Sequence, residues 1–285
     1  MVKGGVGGFM NTPPVLLLAL LAVALALTSS AVSLFASREP RLLRLVATPL
    51  LGLSGVAALA SGLSALILHT NVAMTLPFGL PWLPWHLRID VLSGFFLLLI
   101  GLITTAVGIY APAYVRDFEH GRDSQTALGG FTGLFLAGML LVVLADDAFL
   151  FMVAWELMSL ASYFLVAFQH EIAANRRAAF LYLLMAHLGG LAILLGFGVL
   201  AAFGHSFEFA ALRIAPLSSS WASVAFALAF IGFGMKAGLI PLHAWLPEAH
   251  PAAPSHISAL MSGVMLKLAV YGFIRVVFDL IGQLH

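Results

Sequence analysis

Long apolar runs separated by short polar segments dominate this sequence. A helix needs about 20 predominantly apolar residues to cross the ~30 Å hydrocarbon core of a membrane. About eight runs are long enough, and they lie at 14–36, 42–68, 91–114, 127–145, 148–169, 177–203, 220–246 and 255–282. The pattern predicts an all-α membrane protein, a bundle of about eight transmembrane helices. The first run exceeds a signal-peptide core and lacks a clear cleavage site, so we expect it to remain as the first helix.

The composition supports lipid as the solvent of this chain and excludes several kinds of chemistry. Hydrophobic residues make up 62% of the sequence and charged residues 9%, against about 25% charged residues in an ordinary soluble domain. A net charge of +1 provides no basic field for nucleic acid. The absence of cysteine excludes disulfides, thiolate metal sites and cysteine-ligated iron–sulfur clusters from this chain. Any redox centre must therefore sit on a partner.

Positive residues sort to one side of the predicted bundle. The segments after predicted helices 1, 3 and 5 hold Arg38, Arg41, Arg44, Arg116, Arg122, Arg176 and Arg177, and the opposite side holds Lys3, Arg88 and Arg213. The positive-inside rule places the first set in the cytoplasm and both termini on the non-cytoplasmic side. The longest linker, 69–90, contains Trp82 and Trp85. We expect it to lie at the membrane interface, where Trp is favoured.

Three charged side chains fall inside apolar helices, where they are costly. Lys236 and Lys267 lie within predicted helices 7 and 8, and Glu156 lies within helix 5. Each such group costs about 2.5–3.5 kcal/mol at the membrane centre unless it faces a partner or water. Helical spacing predicts that Ser159 and Tyr163 share a face with Glu156. The favoured hypothesis is a titratable relay, and the alternative is a static Glu–Lys pair.

Glycine and proline interrupt predicted helix 7. Gly238, Pro241 and Pro247 follow its apolar part, and proline both removes a backbone donor and clashes with the preceding turn. Broken helices at membrane depth line cavities in transporters, so we predict a broken seventh helix. A simple kink at a helix end is the alternative.

Histidines surround the predicted break and add titratable groups. His187 lies in helix 6, and His243, His250 and His256 flank the break. Because histidine titrates near neutral pH, His187 and His256 are the favoured relay members. His243 and His250, with Ser159 and Tyr163, are secondary candidates. No His-Glu-x-x-His motif is present, so we expect no metal site, and an intramembrane metal hydrolase is a weak alternative.

Two stretches carry a family resemblance. Residues 155–163 read WELMSLASY, and residues 232–267 read GFGMKAGLIPLHAWLPEAHPAAPSHISALMSGVMLK. The first resembles the fifth-helix motif of antiporter-like membrane subunits, the family that includes complex I subunits and the large Mrp cation/proton antiporter subunits. The second is more specific and is most similar to the hydrogenase-4 and formate hydrogenlyase branch of that family.

The resemblance implies roles for individual residues. Glu156 would pair with and modulate Lys236, Lys267 would be the eighth-helix lysine of a central relay, and His187 would match a sixth-helix histidine. Residues 127–285 would form one five-helix antiporter repeat, helices 4–8, after helices 1–3 in residues 1–126. The implied function is proton translocation through a hydrated Glu–Lys–His–Lys relay, in the plasma membrane of a prokaryote.

The resemblance also implies partners. Family members carry a second, inverted repeat, so another chain would supply the second half-channel beside other membrane subunits and lipid. A peripheral redox arm with iron–sulfur and often nickel–iron centres would drive transport, with no cofactor on this chain. Two alternatives stay open: an Mrp-type Na⁺/H⁺ antiporter subunit, and a truncated membrane anchor or scaffold that transports nothing.

Overall fold

The computed structural model describes residues 13–35, 39, 41–118 and 124–282. Lys3, Arg38 and Arg122 lie outside these ranges. Within them, the helices long and apolar enough to cross a membrane are α1 (Pro14–Ser33), α2 (Leu43–Ile67), α3 (Val91–Val115), α4 (Gln125–Leu144), α5 (Ala148–Val166), α6 (Ala173–Gly204) and, after the short helix α7 (Phe209–Leu212), α8 (Ser219–Ala237). The chain is thus a mostly helical integral membrane protein.

Side-chain caps begin three of these helices. Asp90, Ser124 and Asp147 each accept a hydrogen bond from a backbone N–H in the first turn of α3, α4 and α5. Such caps satisfy donors that the helix itself leaves unpaired. Burial raises the pKa of Asp147, although the hydrogen bonds that its carboxylate accepts from the N–H groups of Leu150 and His86 oppose this shift.

The last predicted helix, 255–282, is present as one helical run with two wider turns. This run, α10 (residues 255–281), consists of Ser255–Leu260, a π-helical segment Met261–Met265, Leu266–Ile274 and a second π-helical segment Arg275–Ile281. None of these pieces alone reaches the length of a membrane span. The described residues therefore hold seven uninterrupted spans, and the predicted count of about eight is not confirmed.

The predicted helix 220–246 was wrong at its end, because α8 ends at Ala237. Gly238 follows in a left-handed conformation, φ +77°, which glycine adopts without steric cost. A turn containing Pro241 leads to the short helix α9 (Leu246–Ala252), which has Pro247 in its first turn. That this interruption lies at membrane depth and lines a cavity stays a prediction.

The linker 69–90 forms a β-hairpin that the sequence analysis missed. Strand β1 (Val72–Leu80) pairs antiparallel with β2 (Leu83–Ile89), and an irregularity in register lies between Leu76 and Gly79. Prolines in both strands hid the pattern, since proline argues against a strand assignment. Leu83, Leu87 and Ile89 of β2 are buried, so the hairpin packs on one end of the bundle, termed the hairpin end below.

An ion network joins distant elements at the hairpin end. It consists of three arginines and three aspartates: Arg88, Arg213, Arg275, Asp90, Asp146 and Asp279. These residues come from β2, the start of α3, the α4–α5 link, the segment after α7, and α10. The network therefore fixes the hairpin and the end of α10 to the rest of the bundle.

Arg275 is the most buried member of the network. Its guanidinium donates to both carboxylate oxygens of Asp90, at 2.6 and 2.9 Å, and to Asp279 at 3.0 Å. Although burial opposes the charge of Asp90, the hydrogen bonds and charge of Arg275 hold the pKa of that carboxyl below its usual range. Bidentate pairing of this kind is the strongest form of arginine–carboxylate contact.

We predict that Arg275→Leu destabilises the fold by roughly 3–5 kcal/mol, because it leaves two carboxylates without their buried partner. Arg177→Leu is the matched control: Arg177 is 82% exposed and stands 3.9 Å from Glu248, so it should cost less than about 1 kcal/mol. The measurement is thermal unfolding of the purified protein in detergent. Equal losses in the two variants would show that the network is not a stabilising clamp.

Candidate functional site

Lys236 lies in the last turn of α8 and is almost fully buried, at 3% exposure. Its Nζ atom donates to Ser159 Oγ on α5 at 3.0 Å and to the Tyr182 hydroxyl on α6 at 2.6 Å. It also lies 4.8 Å from the centre of the Tyr182 ring and 6.0 Å from that of Trp155. Hydroxyl groups and aromatic faces therefore hold this ammonium within an apolar bundle.

A close approach of α6 and α8 positions Lys236. A Cβ atom on Gly232, one turn before Lys236, would stand 2.7 Å from Gly189 O and 3.0 Å from Ile193 N of α6. Only glycine lets the two backbones come this near. Trp245 Nε1 donates to Met235 O at 2.8 Å, which fastens the segment after the interruption to the same turn.

Tyr182 is the member of this cluster that sequence reasoning missed. It is fully buried, and its hydroxyl lies 2.6 Å from Ser162 Oγ and 3.5 Å from Met265 Sδ of α10. The predicted helix began at residue 177 and so put Tyr182 near its end, whereas α6 begins at Ala173, which places Tyr182 about 14 Å along the helix axis.

Glu156 does not contact Lys236 directly. Among the described residues, no ion pair within 4.0 Å joins the two, and their charges interact over a longer distance. Glu156 Oε2 lies instead 3.6 Å from His187 Nε2, and the two side chains are 35% and 45% exposed. His187 Nδ1 is 3.1 Å from Leu183 O. The structure therefore brings Glu156 and His187 together on an outer face.

That outer face is an apolar groove of about 670 Å³ between α5 and α6. Apart from Glu156 and His187, its lining consists of glycine and apolar side chains: Phe149, Met152, Val153, Leu157, Leu160, Gly190, Leu191 and Leu194. A carboxylate and an imidazole thus open onto an otherwise oily surface. Such groups within membrane helices mark functional surfaces by default.

The three members of the predicted polar stripe on α5 have different surroundings. Glu156 opens onto the groove, whereas Ser159 is buried against Lys236. Tyr163 lines a separate cavity of about 510 Å³, which His170 and Arg176 also line. Ser159 lies some 60° from Glu156 around the helix axis, whereas Tyr163 lies close to the line of Glu156 but about two turns further along.

Lys267 lies on the outer surface of the described part of the chain. It is exposed, and its ammonium donates to Ser262 O of the same helix. It stands close enough to His250 for their charges to interact. The structure therefore does not place Lys267 in one interior with Lys236, although Met265, which contacts Tyr182, is only two residues away.

The three histidines near the interruption carry buried ring nitrogens with no hydrogen-bond partner among the described residues: His243 Nδ1, His250 Nε2 and His256 Nδ1. His256 is 3% exposed and packs edge-on against Tyr114 at 5.2 Å. A buried imidazole nitrogen is costly to leave unpaired. Within the described ranges, no group of three or more His, Cys, Asp or Glu residues is placed to hold a metal ion.

Comparison with known proteins independently shows which membrane proteins this chain is similar to. Residues 145–284 match a family described as NADH:quinone oxidoreductase/Mrp antiporter, TM. Hydrogenase-4 component B of Escherichia coli K12 is 41% identical over 249 residues, 82% of this chain and 36% of that protein. NADH-quinone oxidoreductase subunit M of the same strain is 31% identical over 216 residues, 70% of this chain and 41% of that protein.

A solved structure shares the fold. The Mrp complex from Dietzia sp. DQ12-45-1b matches with a TM-score of 0.77 at 23% identity, covering 93% of this chain and 48% of that chain. At this identity the likeness concerns the fold alone. The chain spans between 36% and 48% of the length of these three proteins.

We predict that Gly232→Ala destabilises the protein by about 1–3 kcal/mol, because its Cβ atom would force the α6 and α8 backbones apart. Gly196→Ala is the control at the same helix pair, since its nearest neighbour would be Leu228 Cβ at an ordinary 3.6 Å. Melting temperatures in detergent report both effects. If Gly232→Ala melts like Gly196→Ala, the close approach is not what positions Lys236.

Proposed function

Since the chain belongs, from residue 145 to residue 284, to the NADH:quinone oxidoreductase/Mrp antiporter membrane family, we propose that it is a proton-translocating subunit of a redox complex. The complex is of the hydrogenase type or resembles complex I. The relatives named above are hydrogenase and NADH-quinone oxidoreductase subunits, which supports this class of partner. The ion it moves and the residues that carry it are inferred from the site.

The state of Lys236 is the observation that carries the proposal. A charge kept only for structure would have a buried counter-ion, as Arg275 has in Asp90. Lys236 has neutral hydroxyl partners instead, and its nearest carboxylate acts on it without contact. Unlike arginine, lysine changes its proton occupancy readily when it is buried. This is the arrangement expected of a group that gains and loses a proton.

The proposed relay crosses the bundle in the plane of the membrane. Glu156 and His187 exchange a proton at the outer groove, and Lys236 holds it in the centre. His250, near Lys267, offers the next step toward the opposite flank. His256 Nδ1 is a further candidate, since it lies buried without a partner in the described ranges.

The exposed ends of this relay require neighbours. Glu156 and His187 on one flank and Lys267 on another would be costly against lipid tails. We infer that other membrane subunits, together with a second half-channel, cover these flanks. This second half-channel would belong either to a further chain or to the remainder of a longer one. In both cases a peripheral arm with iron–sulfur and nickel–iron centres would drive the transport.

Sodium is the second candidate ion. The family description names the Mrp antiporter, and the fold matches an Mrp complex. A Na⁺/H⁺ exchanger would require the same buried titratable lysine, so the geometry of Lys236 fits both. Dependence of proton movement on Na⁺ in sealed vesicles would support exchange, and its absence would support proton translocation alone.

Lys236→Ala in the intact complex should lower proton translocation at least roughly tenfold, as expected when a positioned proton carrier is removed. Translocation is measured in membrane vesicles, with subunit assembly and the redox activity of the complex as controls. Undiminished translocation by a normally assembled complex would exclude the relay role of Lys236. That result would favour a membrane anchor instead.

A second variant tests Glu156 without removing it. A Cβ atom on Gly190 would stand 2.6 Å from Glu156 Oε1, so Gly190→Ala should displace this flexible carboxylate from His187. We expect severalfold slower translocation with an unchanged melting temperature, since a shift of about 1 Å in a positioned group is costly for rate. Gly198→Ala, on the same helix with nothing within 4 Å of its Cβ atom, should change neither. Equal rates in the two variants would argue against a role for the position of Glu156.

A further inference from the structure

The hydroxyl partners of Lys236 differ in what lies beyond them. Ser159 is in contact with Lys236 on α5. Tyr182 makes further contacts, because its hydroxyl also lies 2.6 Å from Ser162 Oγ and 3.5 Å from Met265 Sδ. Tyr182 therefore connects the α8 lysine to α5 and to α10 at once.

The hydrogen-bond roles in this group of side chains are fixed at the ammonium end. A lysine ammonium can only donate, so the Tyr182 oxygen accepts from Lys236. The Tyr182 hydroxyl lies 2.6 Å from Ser162 Oγ and donates to Met265 Sδ at 3.5 Å, and Ser162 Oγ reaches Met158 O at 2.7 Å. Hydrogen bonds therefore connect Lys236 through Tyr182 to Ser162 on α5 and to Met265 on α10. Each donation polarises the next group, which strengthens the bond at the ammonium.

We propose that Tyr182 is the positioning residue that holds proton-loaded Lys236 out of contact with Glu156 and links it to Met265 of α10. The inference rests on the proposed function and adds to it a second resting place for the loaded lysine. In this state the positive charge is stabilised by the Tyr182 and Ser159 oxygens, without a carboxylate contact. Glu156 is then free to pair with His187 on the groove side.

The residues around Tyr182 determine where Lys236 lies in this state. Met265, on the far side of the hydroxyl, ends the π-helical segment Met261–Met265, and Lys267 follows two residues later. The Tyr182 ring packs against the Trp245 ring, with their centres 4.9 Å apart. This contact limits how far the Tyr182 hydroxyl can move with Lys236. A lysine bound to Tyr182 is therefore two hydrogen bonds away from Met265 on α10.

Tyr182→Phe in the intact complex tests the inference, since it removes one oxygen and keeps the ring. Without this acceptor the charged lysine is less stable, so it loses its proton at a lower pH. The alkaline limb of the translocation rate against pH should move down by about one unit. Tyr110→Phe is the matched control: Tyr110 is 51% exposed and lies on α3, away from Lys236, and its profile should equal that of the parent.

Ser162→Ala provides a second measurement of the pH profile, which remains available if the complex with Tyr182→Phe fails to assemble. It removes the hydroxyl that hydrogen-bonds to Tyr182 at 2.6 Å, so the alkaline limb should move in the same direction by a smaller amount. A purely structural role of Tyr182 would lower the melting temperature and leave the pH profile in place. The profile therefore separates positioning from packing.

The outcomes also separate this inference from the proposed function. If Lys236→Ala is inactive while Tyr182→Phe, or Ser162→Ala where Tyr182→Phe fails to assemble, keeps the parent pH profile, the positioning role is overturned and the relay stands. If Lys236→Ala translocates normally, the relay fails and the role of Tyr182 fails with it. A downward shift with inactive Lys236→Ala supports both.

Discussion

Hydrocarbon tolerates a charged side chain only when another group in the protein takes the place of water, and this constraint organises the whole bundle. The described residues meet it in two ways. At the hairpin end, arginines and aspartates pair directly, and Arg275 binds both oxygens of Asp90. In the middle of the bundle, Lys236 is held by the Ser159 and Tyr182 hydroxyls. The first solution pairs charge with opposite charge, and the second surrounds an ammonium with neutral hydroxyl groups.

The two solutions suit different tasks. Guanidinium keeps its proton under all physiological conditions, so the arginines of the hairpin-end network hold a fixed charge and fasten β2, the start of α3, two links and α10. Because Tyr271 and Arg275 lie on the same helix as Lys267, one and two turns away, the network also fixes the orientation of that lysine. A rigid end thus supports a titratable centre.

Three members of the proposed relay lie at the outer flanks of the described bundle. Glu156, His187 and Lys267 all reach the surface of the described bundle, while Lys236 is enclosed. The relatives are more than twice as long as the matched part. Polar groups left open on an apolar surface are the natural contacts for neighbouring helices, so the proposed relay would continue into such neighbours.

The sequence by itself determined the membrane fold and singled out Lys236 as a buried charge, because both depend on runs within single segments. Seven apolar runs became spans near their predicted places, and Lys236 was recognisable since a lysine within an oily helix needs a partner. Helical spacing on one element could not show that Ser159 is buried against Lys236 while Glu156 opens onto the groove and Tyr163 lines a separate cavity. The tertiary structure alone decided that Tyr182 meets Lys236, 54 residues away, and that Arg275 meets Asp90, 185 residues away. Such pairs arise from how whole helices pack, and no periodicity within one helix records which neighbour it faces.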